Sequence, residues 1–106
     1  MLLVYKEVLT LIQYIDDMIK ATSGEDICIC AKATDAYGEC LEGCFFCLFD
    51  YDMNKLFMIE GYLNADYIFE FYIPAIATKN LKGKFWYSVC DKDDVSLCFK
   101  NPMYLV

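Results

Sequence analysis

Histidine and arginine are both absent, and the nine basic residues are all lysine. Without histidine there is no Ser-His-Asp or Cys-His nucleophile pair, no histidine-based zinc site and no ordinary acid–base group near neutral pH. Without arginine there is no bidentate clamp for phosphate or for a guanine edge. Sixteen acids bring the net charge to −7 and the pI to about 4.3. That balance opposes direct binding to DNA, RNA or an anionic membrane, where neutralising phosphate dominates affinity. Long apolar runs are also missing. No stretch of roughly 18 uninterrupted apolar residues is present, so no membrane-spanning helix is expected. The N-terminus, broken by Lys6 and Glu7, lacks the basic leader and apolar stretch of a signal peptide. We expect a cytoplasmic chain that holds no cofactor.

What remains is apolar. Of 106 residues, 58% are hydrophobic and 17% aromatic, too many for a disordered chain and enough for the core of a single domain spanning 1–106. Residues 2–21 place Val4, Val8, Leu11, Ile12, Ile15, Met18 and Ile19 at three- and four-residue spacings, which predicts an amphipathic helix ended by Ser23-Gly24. Ile27, Ile29, Ala31 and Ala33 alternate as on a strand. Cys44–Tyr51 and Lys55–Tyr62 read as a hairpin around Asp52-Met-Asn54. Tyr67–Ile73 is a strand that Pro74 stops, 75–83 a loop with room for one helical turn, and Lys84–Cys90 pairs with Val95–Lys100 in a last hairpin. Asn101-Pro102 then ends the sheet, leaving a short apolar tail. The expected fold is α+β: the N-terminal helix packed on an antiparallel meander of about five or six strands.

The seven cysteines are Cys28, Cys30, Cys40, Cys44, Cys47, Cys90 and Cys98. Their odd number and the expected compartment predict free, mostly buried thiols acting as small hydrophobes, with no metal. One C-x-x-C, Cys44 and Cys47, lacks the second knuckle of a zinc site.

No catalytic set is present, so we expect a binder and not an enzyme. Acids gather in turns and aromatics exceed what one core needs, a combination suited to a basic protein partner. Trp86 and Tyr87 beside Asp91, Asp93 and Asp94 are the first candidates for that contact, with Asp35, Glu39 and Glu42 second. The type of protein this resembles is a stoichiometric inhibitor: a cytosolic immunity protein or antitoxin that neutralises a basic toxin enzyme such as a nuclease. A phage-encoded inhibitor of a nucleic-acid-guided defence enzyme, of anti-CRISPR type, is the same chemistry in another setting. A small metal- or ligand-binding module built on the cysteine cluster is an alternative, as is a homo-oligomer that uses the aromatic surface for itself.

Overall fold

The computed structural model describes residues 18–34, 37–92 and 100–106, and the backbone of 2–9. Nine strands and one short helix run in the order β1 (Leu2–Leu9), β2 (Ile19–Ala21), β3 (Ile27–Thr34), β4 (Cys44–Phe49), β5 (Lys55–Glu60), β6 (Tyr62–Leu63), β7 (Phe69–Ile73), α1 (Ala75–Thr78), β8 (Gly83–Asp91) and β9 (Asn101–Leu105). They form two sheets, a four-stranded one ordered β1-β3-β7-β6 and a five-stranded one ordered β2-β9-β8-β4-β5.

This overturns the expected helix-on-sheet fold. Residues 2–9 are a strand lying parallel to β3, and 19–21 a strand parallel to β9. The four-residue spacing of Val4 and Val8 satisfies a strand as well as a helix, because four is a multiple of two. Leu11, Ile12 and Ile15, the middle of the predicted stripe, lie outside the described residues. Nor is the connectivity a meander, since both parallel pairs join segments distant in sequence. No helix among the described residues is long and apolar enough to cross a membrane.

β3, β4 and β7 are close to expectation. Ile27, Ile29, Ala31 and Ala33 are buried, as their alternation requires. Phe69, Phe71 and Ile73 of β7 share their side of the sheet and are also buried. Facing them are Phe46, Leu48, Phe85, Tyr87, Val89, Met103, Leu105 and Ile19 of the second sheet, in one continuous core. Phe46 links the two layers, with its ring centroid 6.0 Å from Phe71 and 5.6 Å from Tyr87. Pro74 ends β7 and α1 supplies the single helical turn.

The C-terminal segment differs from expectation. Pro102 lies inside β9, opposite Trp86. β2 reaches only Met103–Leu105. The side of Pro102 that lacks an N–H therefore has a place where no ladder is formed among the described residues. The "tail" is an internal strand of the larger sheet, between β2 and β8.

Candidate functional site

The structure separates the first group of predicted contact residues. Tyr87 is fully buried, its ring stacked on Phe46 at an interplanar angle of 12°. It is a core residue with no exposed surface. Trp86, its neighbour, points to the opposite, outer face and is half-buried beneath the Lys84 ammonium, 4.5 Å from the ring centroid. Asp91 ends β8 opposite Cys44, five positions on, hence on the other face and ~16 Å along the strand. Asp93, Asp94 and Asp35 lie outside the described residues.

Glu39 and Glu42 are both exposed in the connection from β3 to β4. Asp91 joins them at that end of the molecule. Burial pushes the Cys44 thiol up to about 12, with added repulsion from the Asp91 carboxylate and from Cys40. Asp91 and the Glu39–Glu42 connection, distant in sequence, thus come to one end because β8 pairs with β4.

Local chemistry explains the shape of this end. Gly38 takes a positive φ of 82°, where a side chain is strained. The chain then turns back, so that Cys40 bridges Thr34 and the Leu41 N–H donates to the Ala33 carbonyl at 3.2 Å. From the other side comes the β6–β7 turn. Its Asn64 side-chain oxygen accepts from the Asp66 and Ile68 N–H groups at 2.9 and 3.1 Å. That turn holds Tyr67 at a φ of 60°, a left-handed conformation unfavourable for a tyrosine. Between the two turns is an open concavity of about 340 Å³ lined by Lys32, Gly38, Glu39, Cys40 and Tyr67 among others. Tyr37, beside it in sequence, is 91% exposed and Tyr67 65%. Acids and exposed rings therefore stand together here, although sequence reasoning named only the acids. Two turn-borne tyrosines, next to Gly38 and three residues after Asn64, were the available signal.

The described cysteines are spread over both sheets. Cys44 and Cys47, three apart on a strand, face opposite sides. Cys28 and Cys30 share the outer face of the other sheet, opposite Tyr72 and Glu70. Burial, followed by the neighbouring Cys30, raises Cys28 to about 11, so it stays a protonated thiol. The Tyr72 hydroxyl donates to Glu70, which lifts Tyr72 to about 12, and Asn64 Nδ2 donates to the second Glu70 oxygen at 3.2 Å. Among the described residues no three His, Cys, Asp or Glu side chains stand where they could hold a metal ion. The expectation that every cysteine is free fails at Cys90, which is disulfide-bonded, whereas Cys28, Cys30, Cys40, Cys44 and Cys47 are free. Thiol titration of the denatured, unreduced chain should accordingly find fewer than the seven thiols that reduction restores; seven without reduction would contradict the bond.

No family model and no curated protein matches the sequence. Among solved structures, the N-terminal domain of phage TP901-1 ORF48 superposes with a TM-score of 0.56, covering 99% of this chain and 98% of that one at 11% identity. The two share a fold. At that identity the likeness concerns the arrangement of strands, and no side chain of the acidic end is carried over by it.

Proposed function

We propose that the chain is a stoichiometric protein binder that acts by occupying a basic partner, without catalysis, cofactor or metal, in the cytoplasm. The observation that supports this reading is the concavity lined by Tyr67 and Glu39, with exposed Tyr37 and Glu42 in the same β3–β4 connection. Exposed rings anchor a contact through buried area, while rim carboxylates steer a cationic surface towards it. The phage source of the domain with the same fold favours a phage-encoded binder over an immunity protein or antitoxin. An enzyme that handles nucleic acid, with its cationic channel, is the partner this surface suits best.

The test is capture of a partner by the tagged chain, followed by association kinetics. Reversing Glu39 and Glu42 to lysine should slow association about tenfold at low salt and flatten its salt dependence. Tyr67→Ala should leave the association rate and speed dissociation. A partner that ignores all three changes would overturn the reading.

A second reading, self-association, has its own observation. β5 is an edge strand, and its Leu56 and Met58 are 39% and 46% exposed. Solution mass across a concentration series distinguishes it, since a binder of other proteins stays monomeric.

A further inference from the structure

Lysines gather at one end of the outer face of the five-stranded sheet, while Glu60 stands on the same face towards its other end, opposite Phe45. Phe49, Trp86 and Pro102 form one cross-strand row. In the neighbouring row Tyr104 stands between Lys20 and Lys84. Lys84 Nζ lies 4.5 Å above the Trp86 ring and Lys100 Nζ 4.8 Å above that of Phe49. Lys55 is the cross-strand neighbour of Phe49 on β5; burial raises the Cys47 thiol, against a smaller lowering by Lys55 and Lys100. Four of the nine lysines thus surround three aromatic rings in a chain whose net charge is −7. Among the described residues none of the four is ion-paired with a carboxylate. The carboxylate nearest in sequence to Phe49, Asp50, is engaged in its own turn, accepting from the Asp52 and Asn54 N–H groups and from Asn54 Nδ2.

We propose that this face is a second docking surface, and that its occupant is an extended acidic segment of a partner protein. The ammonium groups already cover the outward faces of Trp86 and Phe49, so a nucleobase could stack there only by displacing them. A carboxylate needs no displacement, because an ammonium held over a ring keeps N–H donors pointing outward. The field of a chain at −7 also works against a long polyanion, whereas a short acidic segment meets mainly the local lysines at contact distance. The extended form follows from the rows: Lys20, Tyr104 and Lys84 stand side by side across β2, β9 and β8, and Phe49, Trp86 and Pro102 across β4, β8 and β9, so an extended segment lying across these strands on the outer face meets them in turn. The inference goes beyond the basic partner proposed above and does not depend on it, for the two surfaces differ in sign and in place.

Trp86 is the single tryptophan, so its fluorescence reports on this face directly. The chain is titrated with an oligoglutamate peptide, with oligolysine and with single-stranded oligothymidylate. We expect a saturable change in emission with oligoglutamate, weakened about tenfold on raising salt to about 0.5 M. Combined Lys84→Glu and Lys100→Glu should abolish it, with the fold checked by circular dichroism. Lys20→Glu with Lys55→Glu serves if the first pair unfolds. Glu25→Lys, in the exposed turn between β2 and β3, should leave the response unchanged, which separates the local lysines from the net charge of the chain. No saturable response to oligoglutamate, an undiminished response in the reversed variants, or tighter binding of the oligonucleotide would overturn the proposal.

Discussion

Tyr87→Ala will remove about 3–5 kcal/mol of stability, the range for deleting a large buried ring. For a domain of this size the lower figure alone corresponds to a fall in Tm of at least about 12 °C. Tyr87 has no exposed surface, and its ring fills the gap between Phe46 and the rest of the core. Alanine leaves a cavity that a sheet fixed on both sides by β4 and β9 cannot close. Trp86→Ala, one residue away, should cost much less, because that ring is half-buried on the outer face. Thermal unfolding of the two variants measures the difference. Equal losses, or a loss at Tyr87 under about 1 kcal/mol, would mean that the assignment of the two faces is wrong.

The second large effect is expected at Gly61, where the chain leaves β5 in one sheet and enters β6 in the other. A Cβ at this position would lie 2.7 Å from Phe71 Cε1 and 3.1 Å from both Phe69 Cδ1 and Phe71 Cζ. Both phenylalanines are buried in the core and cannot turn outward. The Gly61 N–H also donates to the Cys44 carbonyl at 2.9 Å, so the backbone is tied to β4 and cannot retreat. Gly61→Ala should therefore destabilise by about 1–3 kcal/mol, and Gly61→Val by more, through overpacking. Gly61 has no positive φ among those observed, so the cause is steric and not conformational. Denaturant titration checks it; a loss below about 0.5 kcal/mol would show that the rings give way.

The contrast between Trp86 and Tyr87 shows how far the sequence could be read. Strand β8 was legible, and so was its alternation. Phe85, Tyr87 and Val89 make a more apolar row than Trp86, Ser88 and Cys90, which identifies the inner face. Grouping the two adjacent rings as one surface ignored that period of two. β3, the β4–β5 hairpin and the stop at Pro74 were legible because each depends on local alternation or on a local breaker. The N-terminal strand was not, since its four-residue spacing fits two periods. β9 was not, because what permits Pro102 there is the short reach of β2, a tertiary fact. The acidic end was legible as separate turns only. Their meeting depends on the register of Cys44 with Asp91, and the lysines around Trp86 come from three different strands and a connecting residue, which no window of sequence displays.

The position of β9 governs how this molecule can be made. Residues 103–105 lie between β2, drawn from positions 19–21, and β8. The Val106 N–H donates to the Ala21 carbonyl at 3.0 Å, and Val106 in turn accepts from Ser23 at 3.0 Å. The five-stranded sheet can therefore close around its internal strand only after residues 101–105 have left the ribosome, long after β2. Until then β2 has no neighbour in its sheet and one margin of β8 is bare. Loop closure over some eighty residues is a slow step by comparison with a hairpin. During that interval the apolar strands of the nascent chain are open to mispairing with other chains, so yield on expression should fall with rate of synthesis and temperature well before the stability of the finished fold becomes limiting.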